Sequence, residues 1–304
     1  MVDIARPRND HDRFYDLAAA LVGVALLGLI PIATAPLSAA GLTSVEISAL
    51  RFGFAFLTAI VWTSSSQSQR FKPTSAHLLQ LVVPGFLLAA TSYFYVSSLE
   101  TLSVGIAITV CFGITPIVSA ALNWRNISDR TLFFVASLGL ICALVVASDA
   151  NLESAGRISW IGITFAFFSG VCLGLYSWAI GQTSLPTSTL IPGQFAIALT
   201  WHLPLMVFSG TSTGLISLLF SPTLIAYATA LGVLMTGVSY VLFAKLRAEG
   251  RIRAETLSVL FCLEPALAVA FANFFLGQTI GISNMVGIAS VVFIAGLYSI
   301  RTQN

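Results

Sequence analysis

Long apolar runs separated by short polar connections dominate this chain, and the length of each run defines the element it forms. A helix needs roughly 17–25 mostly apolar residues to cross a bilayer. Runs of that size fall at 16–36, 43–63, 76–98, 102–122, 131–148, 158–180, 188–209, 221–244, 255–276 and 281–300. The connections hold chain breakers, among them Pro36, Pro73, Asn126, Pro186 and Pro222. No linker is long enough to separate soluble domains. The pattern therefore predicts an all-α integral membrane protein of ten spans. A polar segment over 1–15 leads into a first five-helix half over 16–148, and a second half covers 158–300.

Composition agrees. Of 304 residues, 57% are hydrophobic and 9% charged, against about 25% charged in a soluble domain. A mean hydropathy of +0.93 leaves too little polar surface to wet a globule. The net charge of +2 says less than its placement. With the N-terminus in the cytoplasm, the inner side collects Arg6, Arg8, Arg13, Arg70, Lys72, Arg125, Arg130, Lys245, Arg247, Arg251, Arg253 and Arg301. Arg157 alone falls outside, and Arg51 lies inside a span. This positive-inside bias puts both termini in the cytoplasm and requires an even number of spans. The polar start and the small residues Ala33-Thr34-Ala35 imitate a signal peptide, but the apolar run is span-length and Pro36 would begin the mature chain. We read it as a retained first helix of a multi-pass inner-membrane protein.

The two halves echo each other. Leu99 to Ala107 leads to Thr115-Pro116, and Leu246 to Ala254 leads to Glu264-Pro265. Each proline falls near the middle of an apolar helix, the fourth of its half. Five is an odd number, so the second half must run through the membrane inverted. Proline-interrupted helices at matching positions of inverted repeats point to a midplane site. A proline removes one backbone donor and frees a carbonyl a turn earlier, which in lipid must find a partner. A lone proline of this kind is equally compatible with a kinked packing helix.

These features resemble the drug/metabolite transporter superfamily, in its ten-helix bacterial branch with two EamA-type repeats. The residues carrying the resemblance are Ser48 to Phe52 with Arg51-Phe52, Thr115-Pro116, Glu264-Pro265, Leu276-Gly277-Gln278 and Gly287. Leu27-Gly28 and Gln278 stand where the family has Trp-Gly and an acid. The resemblance implies a secondary transporter, working by alternating access and exporting amino acids or similar metabolites. It also implies a central cavity lined by spans one to four and six to nine. The competing expectation is a membrane-embedded enzyme acting on a lipid or isoprenoid. Such an enzyme predicts acids or histidines clustered at one interface, and the chain has no such cluster. The expected partners are a small-molecule substrate and membrane lipid, with a homodimer left open and no nucleic acid.

Candidate chemistry is sparse. Glu264 is placed roughly 15 Å into the ninth helix, where an unpaired charge costs a few kcal/mol. It can couple protons, hold a substrate ammonium, or sit protonated on carbonyls loosened by Pro265. Arg51, roughly 12 Å into the second helix, can neutralise a substrate carboxylate or pin helices through exposed carbonyls. His202 can titrate near neutral pH or be a satisfied interfacial group. Tyr93, Tyr95, Tyr176, Trp178 and Tyr240 are candidate cavity walls or interfacial belt residues. Thr115 belongs with the first helix-break proline, Pro116, and Glu264 with the second, Pro265. Gly170 and Gly174 form a GxxxG in the sixth helix, a candidate close contact, and Asn273 a candidate interhelical hydrogen bond. Cys111, Cys142, Cys172 and Cys262 lie in apolar runs without metal-ligand spacing. No phosphate-loop, HExxH or GxSxG motif occurs. The reading therefore holds no catalytic residue, metal or cofactor.

Overall fold

The computed structural model describes residues 10–65, 75–122, 159–209, 213–248, 251, 260–261, 263–278, 286 and 289. The expected spans at 131–148 and 281–300 lie outside the described residues, apart from the helical positions 286 and 289. Cys142, Cys262, Asn126, Pro73 and most of the loop arginines lie outside them too.

Every regular element among the described residues is helical. The helices are α1 (Asp10–Gly28), α2 (Ile30–Ala39), α3 (Ser44–Ser65), α4 (Ser75–Leu99), α5 (Val104–Leu122), α6 (Trp160–Gly181) and α7 (Thr187–Ser209). They continue with α8 (Thr213–Phe220), α9 (Pro222–Thr229), a π-helical segment Ala230–Val238, α10 (Ser239–Ala248) and α11 (Glu264–Leu276). Six of the resulting rods are long and apolar enough to cross a membrane: Phe14–Ala39, Ser44–Ser64, Leu78–Leu99, Trp160–Gly181, Thr187–Phe208 and Pro222–Leu246. Val104–Thr115 and Glu264–Leu276 are shorter apolar helices. Large apolar side chains such as Val61, Leu79, Trp160, Val207, Phe208, Phe220 and Phe274 stand exposed on the bundle surface, where lipid rather than water suits them. The protein is a helical integral membrane protein.

Several boundaries differ from the sequence expectation. Pro36 does not end the first span: it lies inside α2, and the turn comes at Gly41 with φ 88°, a left-handed conformation that glycine enters without steric cost. The bend falls earlier, between α1 and α2 at Leu29, because Pro31 occupies the first turn of α2 and donates no backbone hydrogen bond. The connection before Pro222 contains the helix α8, packed against the turn at Gly41 and Leu42. The helix α5 runs on through Pro116, so the break expected there is not found. The ninth run does break, but at Leu263, so that Glu264 opens a helix instead of lying ten residues inside one.

Packing is organised around a few crossings. α4 packs against α6 and α7, α5 against α6, and α3 against α7 and the π segment. The rod α1–α2 packs against α10, the π segment and α11, while α11 also meets α5. One apolar core joins Val24, Ile30, Leu37, Ile47, Ile106, Leu231 and Ala268, and a second surrounds Phe52, Phe195 and Tyr176. Close crossings need small residues. A Cβ on Gly174 would lie 2.8 Å from the Thr115 carbonyl oxygen, and one on Gly170 would run into that of Cys111. The GxxxG is thus the seam between α6 and α5, where backbone meets backbone.

Candidate functional site

The centre of the bundle is polar, and Arg51 organises it. Its guanidinium leaves α3 and donates from Nε to Thr236 Oγ1 at 2.8 Å and from Nη1 to Ser92 Oγ at 3.3 Å. Ser92 in turn meets Ser48 Oγ at 3.0 Å. The guanidinium carbon lies 5.6 Å from the centroid of the Phe52 ring, a cation–π distance. All of these groups are buried. Three rods, α3, α4 and the π segment, are therefore joined at one cation.

The π segment makes this possible. Thr236 Oγ1 donates to the carbonyl of Leu231, five residues back, at 2.9 Å, the spacing of a π-helix. Gly232, one turn earlier, packs on the backbone carbonyls of Leu50 and Arg51; its Cβ would lie 2.8 Å from the latter. Any side chain there would push the helix off the arginine. Widened turns of this type concentrate at functional sites, and here one delivers the arginine's acceptor.

Among the described residues, Glu264 is the acidic residue nearest this arginine in electrostatic terms. It follows the turn at Leu263 and begins α11, with Pro265 next in line. Its backbone N–H is free of helical duty, and the positive end of the helix dipole favours an anion at this position. The side chain is half-buried and accepts no hydrogen bond from any described residue. It lies within electrostatic range of Arg51, Tyr95 and Tyr240. Tyr95 and Tyr176 are buried, Tyr240 half-buried, and all three also fall within range of Arg51. The Tyr176 hydroxyl donates to Gln194 Oε1 at 3.0 Å and interacts with the hydroxyl of Tyr240. The Tyr240 ring stands edge-on to Phe195 at 5.4 Å. A carboxyl group and three phenols, drawn from α4, α6, α10 and α11, thus lie within electrostatic range of the Arg51 guanidinium on α3.

Other candidates lie elsewhere. Tyr93 packs its ring on Phe94 and Phe165, at 5.3 and 6.4 Å, in an aromatic cluster between α4 and α6. Trp178 is exposed on α6. Thr115 donates to the carbonyls of Cys111 and Gly170 at 2.9 and 3.2 Å and so ties the α5–α6 seam. His202 is buried beside Phe52, with Nδ1 2.8 Å from the Ala198 carbonyl, which requires a proton on that nitrogen. Pro265 is buried at the start of α11, and Pro116 lies within α5. Among the described residues Asn273 bonds no other helix: its amide donates to the Gln278 carbonyl at 2.7 Å, closing the end of its own helix.

Three partners of the centre escape a reading of the sequence: Ser92, Thr236 and Gln194. Hydroxyls are common in membrane helices and flag nothing by themselves. Gln194 carries a signal, a carboxamide inside an apolar run, spaced i, i+4, i+8 with Ala198 and His202. Further out, Thr43 and Glu46 form a capping box on α3: the Thr43 N–H donates to Glu46 Oε2 at 2.8 Å and the Glu46 N–H to Thr43 Oγ1 at 3.3 Å. Gln278 Oε1 accepts from the first N–H of α5, at Val104, over 3.1 Å. An amide does this as an acid would, which accounts for a glutamine at that place.

No family model matches the chain. Over 249 residues it is 24% identical to the threonine/homoserine exporter RhtA of Escherichia coli K12, covering 81% of this chain and 78% of that one. It is 27% identical over 248 residues to GDP-fucose transporter 1 of Dictyostelium discoideum, covering 78% of this chain and 62% of that relative. A solved crystal structure matches its fold at a TM-score of 0.60 and 16% identity, over 95% of this chain and 99% of the other. The named relatives move solutes and are not enzymes. With its helical membrane architecture and its likeness to these carriers, the chain is a membrane transporter, similar to those of the drug/metabolite type.

Proposed function

We propose that the chain is a secondary transporter that exports small amino acids across the bacterial inner membrane by alternating access. The observation that carries this reading is that a basic and an acidic side chain, Arg51 and Glu264, lie within electrostatic range of each other, with Tyr95, Tyr176 and Tyr240 also in range of the guanidinium. A zwitterion presents a carboxylate to the guanidinium and an ammonium to the carboxylate. Tyr95, Tyr176 and Tyr240 supply amphipathic walls. Likeness to a threonine/homoserine exporter supports the same class. A nucleotide sugar fits less well, since Arg51 is the one cation among the described residues at the centre and Glu264 repels a diphosphate.

Alternating access is supported by the packing. Number the spans one to ten and exchange each with the one five places on. The pairs three–six and four–six become eight–one and nine–one, three–seven becomes eight–two, and two–seven and four–nine return to themselves. Each of these pairs packs together. That exchange supports a reading as two inverted halves, which can rock about the shared centre. The break ahead of Glu264 supplies a half-helix N-terminus at the site.

The test is uptake into proteoliposomes of labelled amino acids and GDP-fucose, with and without a pH gradient. Saturable amino-acid flux that falls sharply in Arg51→Ala is the expected result. Flux of the nucleotide sugar alone would overturn the substrate class.

A further inference from the structure

We infer that Gln194 is a specificity-determining residue of the central site, its Nε2 donating to a neutral acceptor oxygen on the substrate, such as a hydroxyl or amide carbonyl. The inference rests on the transport reading above and adds a third recognition group to the two charges.

Gln194 is fully buried on α7. Its Oε1 is held by the Tyr176 hydroxyl at 3.0 Å, and Tyr176 in turn interacts with Tyr240 and lies in the field of Arg51. The carboxamide is therefore one hydrogen bond removed from the phenols that face the charged groups. Its other end has no partner: Nε2 is buried and makes no hydrogen bond among the described residues. A buried donor left unpaired forfeits its bond to water without a replacement, and folded chains retain few of them.

Two buried hydroxyls, Thr91 and Thr109 Oγ1, are also unpaired among the described residues. A threonine on a helix can reach a carbonyl one turn earlier by changing rotamer. Gln194 has no such escape. Turning its amide would give Nε2 the Tyr176 oxygen as acceptor but leave Oε1 unpaired in its place. In the orientation seen, Nε2 profits only from a group arriving beside it.

The neutrality of that group follows from competition. A carboxylate gains more from the guanidinium of Arg51 than from an uncharged amide. What remains for Nε2 is a second oxygen without charge. A substrate of equal volume that lacks this oxygen leaves the amide unpaired in a dehydrated site, and sites built on a hydrogen bond reject such analogues strongly.

Threonine and valine have nearly the same shape and differ by a hydroxyl in place of a methyl group. In proteoliposomes the wild-type protein should carry labelled threonine in preference to labelled valine by about tenfold or more. Gln194→Met, of similar volume and without the donor, should bring that ratio close to unity. Tyr176→Phe, which frees the amide to turn, should shift it in the same direction. The ratio is insensitive to how much folded protein enters the vesicles. A ratio unmoved in both variants overturns the role of Gln194 and leaves the transporter reading intact. Absence of saturable flux of either amino acid in the wild-type protein overturns both.

Discussion

Arg51 Nε donates to Thr236 Oγ1 across 2.8 Å, joining α3 to the π segment at the centre of the bundle. Thr236 uses its own proton on the Leu231 carbonyl, so the oxygen is polarised toward the guanidinium. The fold thereby keeps a charge among helices without an ion pair in direct contact among the described residues. Thr236→Val removes the acceptor while keeping the shape. It should cost roughly 1–3 kcal/mol of stability, read from denaturant unfolding in detergent. Arg51→Lys should be no remedy, because an ammonium cannot reach Thr236 and Ser92 with the planar fork. Unchanged stability in Thr236→Val would show that water replaces the lost acceptor.

Glu264 should control the pH dependence of flux. It must be ionised to hold a substrate ammonium, so protonation competes with the substrate and flux should fall as the pH is lowered. Glu264→Gln keeps the size and removes the charge. We expect flux at neutral pH to drop about tenfold or more, a lost charge-assisted bond being worth roughly 1.5–3 kcal/mol. The acid limb of the profile should vanish with it. A glutamine variant with the wild-type limb would assign that limb to another group.

Gly170 and Gly181 share one helix and should behave oppositely. At Gly170 a methyl group meets the backbone of Cys111, whereas at Gly181 nothing lies within 4 Å. Gly170→Ala should destabilise the protein by about 1–3 kcal/mol through overpacking at the α5–α6 seam. Gly181→Ala should be neutral or slightly stabilising. Equal effects in thermal unfolding would contradict the close crossing.

Asp16 is buried near the start of α1, and its Oδ1 lies 3.0 Å from Arg251 Nε, beyond α10. The arginine keeps about a third of its side chain exposed, so water screens the pair in part. A double-mutant cycle with Asp16→Asn and Arg251→Gln should give an interaction energy of about 0.5–3 kcal/mol. A value near zero would mean that Asp16 is held by its other contacts.

Six of the expected spans are legible in the sequence because crossing a bilayer is a local requirement: length and apolarity suffice, and neighbours hardly enter. The rarity of charge inside those runs likewise singles out Arg51 and Glu264, since each must find a reason to be there. What surrounds them depends on how the helices are turned. Tyr93 and Tyr95 are equal candidates along the chain, yet they differ by about 200° of helix rotation, and only Tyr95 joins the centre. Thr236 reaches Arg51 because a π segment resets the register of its helix, and no residue type announces that. Pro265 and Pro116 read alike, but the chain breaks before the first and winds on through the second. Apolarity along the chain determined that this protein lives in a membrane and where its charges are conspicuous. Which hydroxyl, amide and phenol meet those charges was decided by packing, because hydrogen bonds between helices depend on rotation and register, and neither is written in any single helix.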